Sequence, residues 1–424
     1  VALSYEVASG QNSYEGETVE LGRDLWFTGE FNSYRNEDAI YVEDNYGFRP
    51  DDSGETTIKD FMIKTRGFIG IGKDENSYKG SFDGKNHGLY NAKLESKNRL
   101  YGIFANITAE QDIEFKNFTL GQGIKGVESA QNYGIIANLN GSGKVNISYV
   151  KNNFEIDNSA TYNGGIIGSV EGSVKLDLNN CHNTTVIKGS YQGGLIGCVN
   201  GENIDVNISN SSNLEPQKET SISMGGGAIS GILAVNNVNI SNFRNNVNIQ
   251  NNGSSSSIYG GVLGAVWNSN SIVLKDIVSE GNIKNNDCGT ISGGIGIIMY
   301  GSGDINTIDI DNVINKLNIE KASSGTGIIS LVSKSNEMNI RNCTNYGKMT
   351  DCNTSSGILG DISCDNTVSL SNCKNNGEIS GEKKHNIAGG IIALMHTAKK
   401  LNIKECSNNN NISNYKSIRR NIST

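Results

Sequence analysis

The composition of this 424-residue chain argues against several classes of protein. Only 36% of the residues are hydrophobic, 7% are aromatic, and the formal net charge is −8. The sequence has no basic stripe that could neutralise phosphates, so we expect no nucleic-acid partner. It also has no apolar run that approaches the ~18 residues of a membrane span, so we expect none. A chain this polar could be disordered. We reject disorder because the aliphatic residues stand in short runs in which they alternate with polar residues, as half-buried strands require.

The first hundred residues differ from the rest. They contain 14 of the 29 aromatic residues of the chain. Solenoids need an atypical end unit because an open coil exposes apolar surface and unpaired strand groups. Residues 1–100 are therefore predicted to form an irregular N-terminal cap with the first coils, including a long excursion from Asn32 to Thr65. An aromatic platform for carbohydrate is the alternative interpretation.

A glycine-rich motif of the form Gly-Gly-Ile-Ile-Gly then returns roughly every thirty residues. Its copies begin at Gly102, Gly134, Gly164, Gly193, Gly226, Gly260, Gly293, Gly327, Gly357 and Gly389. Self-similarity at such a period indicates a solenoid or array. Each unit contains three strand-like segments, the first of which is predicted to be the Gly-Ile-Ile-Gly-x-Val segment. Apolar residues alternate with Asn, Asp, Ser and Lys, the pattern of strands with one buried face. We predict an all-β fold, a right-handed parallel β-helix with three short strands per coil over residues 101–418.

The corner after the second strand carries the most regular columns of the repeat. One column holds Phe118, Val150, Cys181, Ser211, Phe243, Ile277, Val313, Cys343, Cys373 and Cys406. Two residues later stand Leu120, Asn152, Asn183, Asn213, Asn245, Ser279, Asn315, Asn345, Asn375 and Asn408. A side-chain amide donates and accepts at once, so these Asn residues are predicted to stack as a hydrogen-bonded ladder. Asn also tolerates the left-handed backbone that we expect at such corners.

The end of the chain shows no counterpart of the N-terminal cap. Residues 419–424 are interpreted as a short tail after the last repeat. We expect that the natural chain continues beyond Thr424; the alternatives are that another subunit or a short polar tail covers this end. The start at Val1 without a methionine is interpreted as a processed form or an excised region, and we expect that a signal peptide has been removed.

Several segments resemble bacterial surface proteins with GLUG-type repeats. The segment Gly70-Ile-Gly72, with Tyr78-Lys-Gly80-Ser-Phe-Asp-Gly-Lys-Asn-His87, is similar to their opening motif, and Tyr101-Gly-Ile-Phe104 is similar to their "GLFG" segment. The units Ile340–Gly347 and Leu370–Gly377 resemble the family's "I-x-N-C-x-N-x-G" segment. The chain departs from the pattern at Ala105, where the family has glycine, and lacks the proline of the opening. The resemblance covers residues 67–414 and implies a secreted or surface-anchored protein with adhesin-like or protease-associated roles.

Residues that could carry chemistry are few, and no catalytic, cofactor-binding or metal-binding residue is predicted. Four of the eight cysteines fall in the buried column and read as small core residues; Cys198, Cys288, Cys352 and Cys364 lie elsewhere, and no spacing fits zinc. The histidines are His87, His182, His385 and His396, and each is interpreted as a structural or surface residue. The densest acidic groups of the repeats are Asp361 with Asp365, and Asp304 with Asp309 and Asp311.

The leading hypothesis is a non-catalytic, extracellular or cell-surface rod that binds glycan or protein, or acts as a spacer. A carbohydrate-active enzyme, either a polysaccharide lyase or a glycosidase, is the alternative, because parallel β-helices host such enzymes. It would require clustered carboxylates. A filament subunit that associates end to end is the third interpretation.

Overall fold

The computed structural model describes residues 2–26, 70–73, 75–90, 100–121, 132–154, 156, 161–252, 257–286, 289–298, 305–381 and 385–419. Within these ranges the chain is nearly all β, and parallel strands stack coil upon coil into a β-solenoid. This confirms the predicted fold class. The excursion predicted from Asn32 to Thr65 lies outside the described residues. The right-handed sense and the boundaries at residues 100 and 418 stay predictions.

Three stacks of strands run along the solenoid. The first stack contains Leu100–Tyr101, Asn132–Tyr133, Tyr162–Gly164, Tyr191–Gly193, Met224–Gly226, Ile258–Gly260, Thr290–Ser292, Ser324–Thr326, Thr354–Ser356, His385–Gly389 and Tyr415–Arg419. The second stack contains Phe104–Ala109, Ile136–Gly141, Ile167–Glu171, Ile196–Asn200, Leu263–Val266, Ile295–Ile298, Ile329–Val332, Leu359–Ser363 and Ile392–Thr397. The third stack contains Thr18–Glu20, Leu25–Trp26, Ser81–Tyr90, Ile113–Leu120, Lys144–Asn152, Lys175–Asn183, Asp205–Leu214, Lys218–Thr220, Ser269–Lys284, Thr307–Glu320, Glu337–Arg341, Thr344–Asn345, Met349–Thr350, Thr367–Ser371, Lys374–Asn375, Ile379–Ser380, Lys400–Lys404 and Ser407–Asn408. The long strand Ile229–Asn251 belongs to the second and third stacks and joins them.

The glycine motif forms a corner rather than the interior of one strand, which corrects the predicted strand assignment. In one coil, Tyr162–Gly164 is the first-stack strand and Ile167–Glu171 is the second-stack strand. The two residues between them form a bend. The backbone of the next coil lies against this bend, since a Cβ placed on Gly165 would be 2.3 Å from the Gly194 carbonyl oxygen. Glycine is required here by the close approach of backbone to backbone.

Left-handed backbone occurs at one corner of each coil, but not at the ladder residues, so that part of the prediction is wrong. One column of positive-φ residues stands three positions before the ladder column. It contains Asn117, Tyr149, Asn180, Asn210, Asn242, Asp276, Asn312, Asn342, Asn372 and Glu405. Asn and Asp predominate in this column because their short polar side chains tolerate the left-handed region.

The predicted asparagine ladder is present. Nδ2 of Asn152 donates to Oδ1 of Asn183 at 3.0 Å, Asn183 to Asn213 at 2.8 Å, and Asn213 to Asn245 at 3.0 Å. A second run continues from Asn315 through residues 345 and 375 to residue 408, with three bonds of 2.7 Å. Ser279 separates the two runs. Because every bond points in the same direction, each run is one polarised chain of amides inside the solenoid.

The ladder and the glycine corner divide the interior into two apolar columns. The larger column contains the aliphatic residues of the second stack and of the inward face of the third. The smaller column contains residues such as Ile249, Ile283 and Ile319 and packs under the first stack. Between them the corner glycines contact the ladder amides: a Cβ on Gly194 would lie 2.3 Å from Cγ of Asn213. The buried ladder amides thus form hydrogen bonds with one another at the corner where the backbones of adjacent coils approach closely.

A short α-helix, Ala2–Ser9, was not predicted from the sequence. It buries Ser4, Tyr5, Val7 and Ala8, and Val7 joins the larger apolar column beside Ile71 and Tyr78. The side chain of Asn76 donates to the carbonyl of Ala8 at 3.0 Å and ties the helix to the first coil. Eight residues are too short to show helical periodicity, so the tertiary contacts decide this conformation.

Candidate binding face

The outward face of the third stack presents regular columns of polar side chains. Alternate residues of each strand point inward and are buried, as Val145 and Ile147 are. The register of the strands places outward residues of successive coils side by side. One column contains Asn146, Asp177, Asn207 and Asn239, and the next contains Ser148, Asn179, Ser209 and Ser241. Adjacent members stand about 4.8 Å apart, the spacing of neighbouring strands.

Six of these side chains line a shallow groove across three coils. They are Asn146, Ser148, Asp177, Asn179, Asn207 and Ser209, with Ile147 and Leu178 contributing the floor. Amides, hydroxyls and one carboxylate therefore face solvent together. This set offers both donors and acceptors to a ligand rich in hydroxyl groups.

Hydrogen bonds between coils hold the groove side chains in place. Nδ2 of Asn207 donates to Asp177 at 2.7 Å, and Nδ2 of Asn179 donates to Oγ of Ser209 at 2.9 Å. The ammonium of Lys144 lies 2.8 Å from the other carboxylate oxygen of Asp177, and its hydrogen bond to this carboxylate raises the pKa of Lys144. Because neighbouring residues already orient these groove side chains, the side chains would lose little conformational freedom when a ligand binds.

An exposed aromatic ring follows directly on the groove residue Ser148. Tyr149 is 63% exposed and has φ +55°, in the left-handed column where most coils have Asn or Asp. A bulky residue in this region of φ/ψ space is uncommon and is a reason to ask about function. Tyr149 thus offers solvent an apolar ring face and a phenolic hydroxyl one residue after the groove residue Ser148. Sequence reasoning missed this residue, although its departure from the Asn column was a readable signal.

The acidic residues named as candidates do not form a free pair. Arg341 binds both members of one group: its Nη1 contacts Asp309, and its Nε lies 3.1 Å from Asp311. Asp361 lies 2.7 Å from Nε2 of His396, and Asp365 lies 3.8 Å from Lys334. Asp304 lies outside the described residues. Each described carboxylate of these groups thus has a cationic or imidazole neighbour.

The other named histidines have ordinary partners. Nδ1 of His87 lies 3.3 Å from Asp24, and Nδ1 of His182 lies 2.9 Å from the hydroxyl of Ser212. Burial lowers the pKa of His182, and the nearby Lys151 lowers it further. The side chain of His385 lies outside the described part of the chain. Among the described residues, no three His, Cys, Asp or Glu side chains come together as a metal site.

Seven cysteines are buried as free thiols: Cys181, Cys198, Cys343, Cys352, Cys364, Cys373 and Cys406. Four of them occupy the predicted column beside the ladder, and burial raises the pKa of the Cys181 thiol to about 12. The Cys181 thiol is therefore a poor nucleophile, because its thiolate form is disfavoured. Cys288 lies outside the described residues.

Comparison with known proteins adds no relative. No family model, curated protein or solved structure matches the chain. The resemblance to GLUG-type repeats therefore stays a hypothesis from the sequence. No helix in the described ranges is long and apolar enough to cross a membrane.

Proposed function

We propose that the chain is a non-catalytic binding rod of the cell exterior that holds glycan in the groove between residues 146 and 209. The observation that carries the proposal is a polar groove with fixed amide and hydroxyl groups, followed directly in the chain by the exposed Tyr149. Sugars present hydroxyl groups along their edges and apolar C–H faces, and the two parts of the site complement these features. The rigid strands beneath would hold the site in one geometry.

Binding of the purified chain to a glycan array tests the proposal. The Tyr149→Ala variant should weaken binding by about tenfold, because one aromatic contact contributes about 0.5–1.5 kcal/mol beyond its buried area. Asn179→Ala should weaken it as well by removing a groove amide. The matched control is Tyr346→Ala, which removes a second exposed tyrosine, 52% exposed, away from the groove. An array without ligands, or equal loss in the two tyrosine variants, would refute this site.

The same polysaccharides test the carbohydrate-active enzyme. Release of reducing or unsaturated sugars during incubation would favour a glycosidase or a lyase over a binding rod. Protease treatment of intact source cells tests the proposed location. Loss of the chain from intact cells supports surface exposure, and protection until the cells are lysed contradicts it.

Self-association through the last described coil is a second candidate function. Leu401 is 45% exposed, whereas Val368, its partner in the preceding coil, is fully buried. The helix Ala2–Ser9 occupies the other end of the core. A pairing of two copies through Leu401 would therefore join like ends and close as a dimer instead of growing into a filament. Light scattering against concentration, with Leu401→Asn as the variant, distinguishes a monomer, a dimer and a growing filament.

A further inference from the structure

One coil carries a buried ion pair where its neighbours carry aliphatic side chains. Lys218 is in register with Ile249, and the same column continues through Ile283 and Ile319, all nearly fully buried. The side chains of Lys218 and Glu215 are only 2% and 4% exposed, and their charged atoms are 2.5 Å apart. A lysine in this column could have been noticed in the aligned repeats, but its partners could not.

A glutamine amide completes this buried cluster. The ammonium of Lys218 donates to Oε1 of Gln192 at 3.1 Å and to the carbonyl of Ile187 at 2.6 Å. Nε2 of Gln192 donates to the carbonyl of Gly189 at 2.6 Å, which fixes the amide plane. The second oxygen of Glu215 accepts from Nδ2 of the ladder residue Asn213 at 3.2 Å. An amine, an amide carbonyl and a carboxylate thus meet with almost no access to water.

Stability alone gives little reason for this arrangement. A buried ion pair loses the hydration of both charges, and an aliphatic residue of similar volume often serves as well or better. Ile249 shows that the column accepts such a residue one coil later. The group of side chains instead matches the requirements of amide exchange: a nucleophilic amine, a carbonyl held against it, and a group that takes up its proton.

We propose that Lys218 and Gln192 become joined by an intramolecular isopeptide bond, with Glu215 as the proton acceptor. Glu215 takes one proton from the Lys218 ammonium, and the neutral amine attacks Cδ of Gln192. The new bond is Nζ–Cδ, and the bond that breaks is Cδ–Nε2 of Gln192. A second amine proton passes to the leaving nitrogen, which departs as ammonia. Ion pair and amide thus become a secondary amide, ammonia and a neutral Glu215 carboxylic acid.

The products suit the site better than the reactants do. A buried amide and a neutral carboxylic acid need only hydrogen bonds, whereas the starting ion pair places two charges in an apolar interior. Asn213 remains in position to donate to the Glu215 carbonyl oxygen. No oxidant or cofactor is required, since the exchange changes no oxidation state.

The bond would close a covalent ring around one coil. Gln192 belongs to the first-stack strand Tyr191–Gly193, and Lys218, 26 residues later, begins the third-stack strand Lys218–Thr220. The coil between them could then no longer unwind fully. In a solenoid whose coils contact mainly their neighbours, such a ring would prevent unfolding from passing along the rod.

Mass spectrometry of the full chain tests the proposal. We expect the intact mass to be lower than the sequence mass by one ammonia molecule. Trypsin should fail to cut after the acylated Lys218, so residues 189–244 should appear as one peptide that lacks one ammonia and contains the Gln192–Lys218 linkage on fragmentation. Separate, unmodified peptides 189–218 and 219–244 from protein incubated for days at neutral pH would overturn the proposal.

Variants separate this bond from other losses of ammonia. Lys218→Met should restore the sequence-predicted mass, and Glu215→Gln should do so while a polar side chain of the same size remains. Lys348→Met is the control, because Lys348 lies on the surface 3.8 Å from Glu378 and its replacement should leave the ammonia loss unchanged. A succinimide at Asn200-Gly201 also loses ammonia, but it permits cleavage after Lys218. That digestion pattern would also count against the isopeptide bond.

Discussion

One residue of the ladder column, Ser279, leaves a gap in the chain of side-chain hydrogen bonds. Ser279 separates the two runs of ladder amides, and its buried hydroxyl has no hydrogen-bond partner within the described residues. Nδ2 of Asn245, the last amide of the first run, turns instead to the hydroxyl of Tyr259 at 3.3 Å. A serine is too short to span adjacent coils. The gap is therefore a local defect in an otherwise polarised chain of hydrogen bonds.

Replacing the serine should repair the ladder. Ser279→Asn would let Asn245 donate to residue 279 and residue 279 donate to Asn315, so we expect stabilisation of about 1 kcal/mol, the net value of a typical hydrogen bond. The thermal midpoint should rise. Ser241→Asn, on the outward face of the preceding coil, is the control and should change the midpoint little. A lower midpoint for Ser279→Asn would mean that this coil has no room for the amide.

The buried thiol of Cys181 makes the stability of the fold depend on pH in the alkaline range. Burial raises the pKa of Cys181 from its ordinary 9.0 to about 12. The folded chain keeps this proton while the unfolded chain releases it above pH 9, so the contribution is complete below pH 9 and is lost as pH rises toward 12. Over that window the Cys181 thiol lowers the free energy of unfolding by about 1.4 kcal/mol per pH unit.

The Cys181→Val variant isolates one of these thiols. Val150 occupies the same column one coil earlier, so valine should fit with little strain. We expect urea unfolding curves of the variant and the parent to keep a constant separation from pH 7 to pH 9, and the variant to lose less stability above pH 9. Parallel pH profiles through pH 11 would show that Cys181 does not titrate as proposed.

The corner between the first and second stacks is the element that sets the path of each coil. A Cβ on Gly194 would lie 2.1 Å from the Gly227 carbonyl oxygen and 2.3 Å from Cγ of Asn213. Gly194→Ala must therefore push apart either two backbones or a backbone and the ladder. We expect a loss of about 1–3 kcal/mol in urea unfolding, as for other overpacked interiors. Gly22→Ala is the control, since nothing lies within 4 Å of its added Cβ, and equal stability of the two variants would contradict this account.

The repeat alone was sufficient to predict most of the fold. The thirty-residue period and the Asn column predicted stacked coils with an internal ladder, and both are present. The Gly-Ile-Ile-Gly segment was predicted to be a strand, but it bends at Gly165, where the backbone of the next coil lies too close for a side chain. The left-handed residue was placed at the ladder because Asn fits both roles, although Asn180 and not Asn183 has positive φ.

The candidate sites were harder to predict because they depend on which coils lie next to each other. The Asn179–Ser209 hydrogen bond and the exposure of Tyr149 require the exact register of three coils. The contact of Lys218 with Gln192 joins two different stacks. Periodicity shows which positions are equivalent along the axis, but not which side chains meet across a coil.

At the scale of the whole molecule, the solenoid is a stack of nearly interchangeable units. Most strands pair in continuous register with their equivalents in adjacent coils, so stability is approximately a sum of coil terms and neighbour terms. The segments Glu337–Gly347 and Thr367–Gly377 show this closely, because each places a buried cysteine, then a ladder Asn, then a glycine. Removing one exact unit should thus leave every remaining contact type intact.

Deletion of residues 346–375 tests this modularity. It joins Asn345 to Asn376, so that Gly377 follows the ladder amide at the native distance and Asn345 can donate to Asn408. We expect the shortened chain to keep its strand content by circular dichroism and to unfold cooperatively, at a slightly lower temperature because one coil of buried surface is lost. Deletion of residues 346–360 is the control: it removes half a unit with the Gly357 corner and shifts the following strands against the core. If both shortened chains fold equally well, the coils are not the units of stability; if neither folds, neighbouring coils are not interchangeable.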